Sequence, residues 1–166
     1  MEIDIIKHKD ILFSDLLRII RIKNASWSYP LESQISWIIK NQRDEDKHVI
    51  LKENSKDLAY LMMCPVNVVV NGKSVPFVGI GNVCSVSHSM GYGGILMQNV
   101  NAIIVRSREH GILFCKEKVK NFYEHYGWKL VPDAKVISQE VESYGLLTMV
   151  YNIEDNNTIL YKGRIF

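Results

Sequence analysis

The residues best suited to chemistry in this sequence lie in one stretch, residues 83–97, where an apolar run meets a helical pattern. Three closely spaced glycines, Gly91, Gly93 and Gly94, stand at the junction. A strand that ends at a glycine-rich turn before a helix gathers unpaired backbone N–H groups at the positive end of the helix dipole. The stretch therefore predicts a binding site for a phosphate group.

Two other glycine-containing segments imitate nucleotide-binding motifs but fail on context. Residues 72–74, Gly-Lys-Ser, resemble the end of a P-loop, yet Asn67 stands where its first glycine belongs and a strand pattern follows. Residues 79–81, Gly-Ile-Gly, begin a dinucleotide fingerprint, yet Cys84 occupies the third glycine position and the segment lies inside a strand pattern. The turn at residues 91–94 is the one that joins a strand to a long helix.

A second segment, residues 122–128, follows one helix and one short strand later and reads Phe-Tyr-Glu-His-Tyr-Gly-Trp. With this segment, the chain resembles the GCN5-related N-acetyltransferases, the GNAT superfamily. The acetyl-CoA signature of that family is a glutamine or arginine, two variable residues, a glycine, one variable residue, then glycine or alanine. Residues 88–93 match the spacing and both glycines, and depart from the signature at His88 and at Ser89, where glycine is common.

The resemblance spans about residues 58–131 in the order of elements, and two N-terminal helices agree with it. A narrower likeness, at residues 113–115 and 127–128, is to the small-molecule branch that includes aminoglycoside 2′-N-acetyltransferases. The family's fold is α/β (α+β), with a mostly antiparallel twisted sheet that is splayed at the fourth strand and flanked by about four helices. We therefore expect this architecture here.

The resemblance also implies acetyl-CoA as co-substrate and direct transfer of its acetyl group to an amine. The implied cofactor-binding residues are Val83, Cys84, Ser85, His88, Ser89, Met90, Gly91, Tyr92, Gly93, Gly94 and Tyr123. A backbone N–H near Cys84 would stabilise the developing oxyanion, and Tyr123 would supply a proton to the departing thiolate. The alternatives are a nucleophilic Cys84, which lacks an accompanying His and carboxylate, and a Tyr123 that only packs on the buried face of its helix.

The general base and the acceptor pocket are less well specified. The strand at residues 75–86 contains no carboxylate, so Asn82 or Ser85 ordering a water chain, or Glu53, His88 or His125 by position, remain open as alternatives. The resemblance implies an acceptor pocket at Trp27 and Tyr29, and we group Asn82 with them as substrate-binding. Simple packing over a core edge is the alternative for the two aromatic side chains.

Periodicity predicts the elements that must position these residues. The predicted helices are residues 11–22, 30–42, 91–109 and 119–127, and the predicted strands are residues 49–52, 58–64, 66–70, 75–86, 112–115, 129–131, 135–138, 146–153 and 159–161, the last as an edge strand. Asn71-Gly72 predicts a hairpin turn. Gly79 and Gly81 predict a bulge or a close approach within their strand, and the charged residues 43–47 predict a solvated loop.

Composition limits the classes of protein that this sequence can represent. The 166 residues are 47% hydrophobic with a net charge of +2, which predicts one domain, 1–166, and gives no support for nucleic-acid binding. Three cysteines in apolar runs, without paired spacing, predict free buried thiols rather than a disulfide framework or a metal site. The absence of a targeting segment or membrane span predicts a cytoplasmic protein.

These observations favour an N-acetyltransferase that moves the acetyl group of acetyl-CoA to a primary amine of a small molecule, such as an amino sugar or aminoglycoside. One alternative is a protein or peptide N-acetyltransferase, which acidic loops and a long groove would favour. Another is a non-catalytic CoA-binding module with the same fold, which His88 and the missing strand carboxylate favour. We expect no metal and no membrane or nucleic-acid partner, and a homodimer is possible.

Overall fold

A computed structural model describes residues 1–137, 145–155 and 157–166 of the chain. These residues form a mixed α/β fold in which most strand pairs are antiparallel, which confirms the predicted class. In chain order the elements are β1 (Glu2–Lys7), α1 (Phe13–Asn24), α2 (Leu31–Asn41), β2 (Lys47–Glu53), β3 (Lys56–Val70), β4 (Lys73–Ser85), α3 (Tyr92–Arg106), β5 (His110–Cys115), α4 (Lys120–His125), β6 (Lys129–Leu130), β7 (Lys135–Ile137), β8 (Leu147–Tyr151) and β9 (Ile159–Lys162).

The described residues divide into two compact units. The first comprises Met1–Met63 and Asn82–Asn99, and the second comprises Cys64–Gly81 and Val100–Phe166. The long elements β3, β4 and α3 contribute residues to both units. That residues 1–166 form a single domain stays a prediction.

In the first unit, β1, β2 and the start of β3 pair with one another in an antiparallel ladder. The same unit contains the helices α1 and α2. The tight turn between β2 and β3 places Asn54 and Ser55 in the left-handed region, as two-residue hairpin turns require. Strand β1 was not predicted, because only its alternation of Ile3, Asp4 and Ile5 signals a strand and polar residues surround it. Asp4 is held by ion pairs to Arg18 (2.9 Å) and Lys52 (2.8 Å), which only the assembled unit reveals.

The predicted solvated loop at residues 43–47 is corrected at one position. Asp46 is fully buried, its Oδ2 accepts the Arg43 N–H at 2.9 Å, and its carbonyl accepts the His8 N–H at 2.7 Å. A short acidic side chain that binds nearby backbone N–H groups stabilises a turn and is thereby removed from solvent. The rest of the charged run is exposed.

In the second unit β3 and β4 form the predicted hairpin, with Asn71 and Gly72 both in the left-handed region. The parallel ladder between β4 and β5 covers Phe77 to Ile80, and β4 then continues to Ser85. The predicted opening of the sheet at the fourth strand therefore begins where this ladder ends.

Several predictions for this part of the chain differ from the structure. Helix α3 ends at Arg106 instead of residue 109 because Arg108 adopts a left-handed conformation (φ 56°), which the helix cannot continue through. Strand β9 is not an edge strand, since it pairs with β3 on one side and with β7 on the other. Strand β7 ends at Ile137, and the predicted last residue of that strand, Ser138, lies outside the described residues.

The glycines of β4 serve a close approach. A Cβ added to Gly79 would lie 2.5 Å from the ring of Phe166, and one added to Gly81 would lie 2.3 Å from the Phe166 carbonyl carbon. Neither glycine has a left-handed backbone. The residue that follows Gly81, Asn82, does have one (φ 55°). The predicted close approach therefore occurs at Gly79 and Gly81, and the left-handed backbone conformation occurs at Asn82.

We expect Gly81→Ala to destabilise the protein by about 2 kcal/mol, because the new methyl group must displace backbone rather than a flexible side chain. Chemical denaturation of the variant and of Ser74→Ala, an exposed position on the same strand, measures the difference. Equal stability of the two variants would show that the segment at Phe166 does not hold its position against β4.

Candidate functional site

The predicted strand, turn and helix occur in that order at residues 83–97. Strand β4 ends at Ser85, whose hydroxyl donates to the Ser87 carbonyl at 3.0 Å, and the next residue, Val86, donates its N–H to the Leu58 carbonyl at 2.9 Å. Ser87 and Ser89 share a hydroxyl hydrogen bond of 3.2 Å. These bonds order the turn that leads from the sheet into α3.

The start of α3 leaves backbone donors free of helical partners. The Gly91 carbonyl accepts the first helical hydrogen bonds, from the N–H groups of Gly94 (3.0 Å) and Ile95 (3.1 Å), so the amides of residues 91–93 precede the ladder. Gly91 is exposed and left-handed (φ 70°), and a Cβ built on it meets nothing within 4 Å. Donors, helix dipole and open space together suit a phosphate group.

The end of β4 carries the other residues implied for the thioester. Val83 is half-buried, whereas Cys84 and Ser85 are buried. Burial raises the pKa of the Cys84 thiol to about 12, although the nearby Lys23 opposes the change. A thiol that stays protonated at neutral pH is a poor nucleophile, so the geometry favours a backbone role at this position over an acyl-cysteine.

A pocket of about 440 Å³ lies in the first unit and contains all three predicted acceptor-binding residues. Two of them, Trp27 and Tyr29, come from the connection between α1 and α2, and the third, Asn82, comes from the left-handed position on β4. The described residues that line it are Lys23, Trp27, Tyr29, Ser33, Gln34, Trp37 and Asn82.

Lys23 and Trp37 are pocket residues that sequence reasoning missed. The Lys23 ammonium donates to Asn82 Oδ1 at 3.3 Å and lies 4.7 Å from the centre of the Trp37 ring. A signal was present, because Lys23 follows Ile19 by four residues on the apolar face of α1, where a charged side chain is unusual. Trp37 lies in the predicted helix at residues 30–42, where an apolar residue alone does not indicate a pocket.

The predicted catalytic residue Tyr123 belongs to the second unit, where it is buried on α4 with its ring edge against Phe122. Two hydrogen bonds hold the end of this helix. Trp128 Nε1 donates to Asn101 Oδ1 at 3.0 Å, and Asn101 Nδ2 donates to the Tyr126 carbonyl at 2.8 Å. The tryptophan that ends the segment at residues 122–128 therefore has a structural role. The role of Tyr123 rests on the sequence resemblance.

The remaining candidates for a general base are dispersed. Glu53 is exposed at the end of β2, and His88 and His125 are exposed on the turn and on α4. The side chain of Ser85 is already engaged with the Ser87 carbonyl. Among the described residues that line the pocket of about 440 Å³, hereafter the aromatic pocket, none is a carboxylate or a histidine.

Two classes of feature are not found among residues 1–137, 145–155 and 157–166. They contain no group of three or more His, Cys, Asp or Glu side chains arranged to hold a metal ion. No helix among them has both the length and the apolar character that crossing a membrane demands. The three cysteines, Cys64, Cys84 and Cys115, are free and buried.

The chain resembles known proteins in its structure, not in its sequence. No protein-family model matches the sequence, and no curated protein sequence is a match. The fold is similar to that of an acyl-CoA N-acyltransferase from Pseudomonas aeruginosa, with a TM-score of 0.63 and 16% identity over 91% of this chain and 99% of the other.

Two further similar structures contain the cofactor itself. A GNAT family N-acetyltransferase from Escherichia coli in complex with CoA has a TM-score of 0.67 and 12% identity over 98% of this chain and 89% of the other. A GNAT family acetyltransferase from Brucella melitensis in complex with acetyl-CoA has a TM-score of 0.57 and 15% identity over 96% of both chains. At these identities the likeness establishes that the chain has the GNAT fold.

Proposed function

We propose that this chain, which has the GNAT fold, is an N-acetyltransferase that moves the acetyl group of acetyl-CoA to a primary amine of a small molecule. The observation that carries the proposal is the turn at residues 88–93, which has the family's glycine spacing and opens α3 on that fold. The free, buried cysteines fit a reducing compartment, and a cytoplasmic location is part of the proposal.

The residues present fit the cofactor at two places. Gly91 leaves space in which a Cβ meets nothing within 4 Å, and the amides of residues 91–93 come before the helical ladder, so they would hold the pyrophosphate. Beyond the β5 ladder, β4 continues through Val83 and Cys84, whose backbone groups would hold the pantetheine arm. Acetyl-CoA would supply an acetyl group activated as a thioester.

The chain's own residues would then act on that group. The N–H near Cys84 stabilises the negative charge that develops on the thioester oxygen when the amine attacks. Tyr123, matched by the family segment, donates its phenolic proton to the departing sulfur. Cys84 does not form a covalent intermediate, because burial keeps its thiol protonated.

The pocket in the first unit supports a small acceptor. Its volume of about 440 Å³ lies within the usual range for small-molecule sites. Its aromatic lining, Trp27, Tyr29 and Trp37, contacts flat or apolar groups. A protein or peptide acceptor and a CoA-binding module without turnover are the outcomes against which the proposal is tested.

Gly91→Asp and Gly91→Asn form a matched pair for the phosphate site, because both side chains tolerate the left-handed backbone and both enter open space. We expect the aspartate variant to bind acetyl-CoA at least about tenfold more weakly than the asparagine variant, since only its carboxylate repels the pyrophosphate. Isothermal titration calorimetry at low salt measures both. Equal affinities would place the pyrophosphate elsewhere.

A screen for thiol release tests the reaction as a whole. Acetyl-CoA is incubated with the protein and with amines, amino sugars, aminoglycosides and peptides, and free CoA is followed with a thiol reagent. Turnover confined to small amines supports the proposal, and turnover of peptides alone overturns its acceptor class. Cofactor binding without turnover of any amine points to the non-catalytic module.

A further inference from the structure

The aromatic pocket of the first unit holds a buried cation. Lys23 is 6% exposed, yet it is one of the residues that line the pocket. Its one described hydrogen bond goes to the neutral Asn82 Oδ1 at 3.3 Å, and it lies 4.7 Å from the ring centre of Trp37. An ammonium group has three N–H donors, so two have no described protein acceptor.

The charge of Lys23 has no counter-ion in the part of the chain that the structure describes. No ion pair there involves Lys23, and none of the lining side chains is acidic. Burial lowers the pKa of Lys23, and the nearby Cys84 acts in the opposite direction without cancelling the effect. A buried unpaired charge is costly, and a bound anion would offset that cost.

Part of the pocket lining, at Tyr29 and Gln34, is preformed. Gln34 Nε2 donates to the Tyr29 carbonyl at 3.0 Å and also to the side-chain oxygen of Asn24. Because a carbonyl can only accept, these bonds fix which way the amide faces and tie the Tyr29 segment to α2. Gln34 Oε1 is buried without a hydrogen-bond partner among the described residues.

Charge complementarity therefore selects among small amines. A polycationic amino sugar would meet the Lys23 ammonium and find no carboxylate among the described residues that line the pocket. An amine with an aromatic body and a carboxylate would place its ring against Trp27 and Trp37 and its carboxylate against Lys23. The two groups of such a molecule match the two kinds of surface that the pocket offers.

We propose that the acceptor is a primary amine on an aromatic body that also carries a carboxylate, and that Lys23 binds this carboxylate. The inference rests on the proposed acetyl transfer and assigns Lys23 a specificity-determining role. The general base is a different group, because a lysine that binds the carboxylate as an ammonium has no free electron pair with which to accept a proton.

Matched pairs of amines test the assignment. We expect kcat/KM for phenylalanine and tryptophan to exceed that for phenethylamine and tryptamine by at least about tenfold, the range expected for a hydrogen bond to a charged group. Lys23→Met should reduce this preference to near one, by lowering kcat/KM for the carboxylate-bearing amines only. Lys23→Arg should retain part of it, and Arg21→Met, at an exposed position of α1, should retain all of it.

Contrary results have distinct meanings. A wild-type preference for the amines without a carboxylate, or for aminoglycosides, overturns the proposal. An equal loss of kcat/KM for both members of each pair in Lys23→Met also overturns it, because that pattern belongs to a general base or to a structural role. Thermal melting of the variant shows whether such a loss comes from unfolding.

A binding measurement separates this inference from the proposed activity. The Kd values of N-acetylphenylalanine and N-acetylphenethylamine are measured by calorimetry on wild-type protein and on Lys23→Met, without turnover. Tighter binding of the carboxylate-bearing compound by wild type alone supports the pocket assignment even where acetyl transfer fails. Equal or undetectable binding of both compounds overturns the assignment, even where acetyl-CoA binds normally.

Discussion

Replacement of Tyr123 by phenylalanine is expected to lower kcat about 100-fold, the lower end of the range for a general acid. The substitution removes one hydroxyl and keeps the ring that packs against Phe122 at a centroid distance of 5.1 Å. Without the phenolic proton, sulfur must depart as a free thiolate. The Kd of acetyl-CoA should change by less than about threefold, because a lost transition-state contact lowers kcat without a matching change in binding.

The measurement is a steady-state rate with the best amine of the screen, together with calorimetry of acetyl-CoA binding. Tyr126→Phe serves as the control, since it removes a hydroxyl from the same aromatic cluster, at the residue that caps the C-terminus of α4. Thermal melting of both variants excludes unfolding as the cause. A Tyr123→Phe enzyme with unchanged turnover would remove this residue from the mechanism.

Acidification is expected to destabilise the first unit through His48. This side chain is fully buried between two partners, with Nε2 3.0 Å from His8 Nδ1 and Nδ1 2.9 Å from the Tyr60 hydroxyl. Burial first, and then the charge of His8, lower the pKa of His48 from 6.5 to about 4. The folded protein therefore keeps this ring neutral under conditions in which the unfolded chain protonates it.

The sign and the pH window follow from these two values. Between the folded pKa of about 4 and the unfolded pKa of 6.5, the unfolded state binds more protons, so the free energy of unfolding falls as the pH falls. The total loss across the window is about 3 kcal/mol, from the free energy of one pKa unit. Denaturant unfolding at a series of pH values measures this slope.

Removal of the titrating ring provides the decisive comparison. His48→Gln should flatten the dependence of the unfolding free energy on pH across the window, whatever its effect on absolute stability. His125→Gln, an exposed position, should keep the wild-type slope. A His48→Gln protein with an unchanged slope would assign the acid sensitivity to other groups.

Features that depend on neighbours in the chain were accessible from the sequence. The glycines at residues 91–94, the Asn71-Gly72 hairpin and the helical spacing around Tyr123 each specify a local backbone conformation, and the structure has all three. Local signals also misplaced some boundaries, as at the end of α3, where Arg108 takes the left-handed conformation expected of glycine.

Features that depend on distant residues were decided by tertiary packing. Lys23 and Asn82 are 59 residues apart, and their hydrogen bond forms only in the folded first unit, where the lysine side chain is buried. The periodicity of α1 does not indicate which strand its apolar face will cover. In the sequence, Lys23 therefore looks like any charged residue on an amphipathic helix. The same holds for His48, whose neutrality results from burial beside Tyr60.

Residues 83–97 and the pocket beside them illustrate the difference between a local signal and a tertiary one. The glycine spacing of this stretch, together with the later Phe-Tyr-Glu segment, determined the expected fold and cofactor, because a phosphate site at a helix start needs only a few consecutive residues. The pocket proposed for the acceptor was decided by tertiary structure, since its lining residues come from α1, α2, the connection between them and β4. Its charge and shape are therefore properties of the folded chain that no single segment encodes.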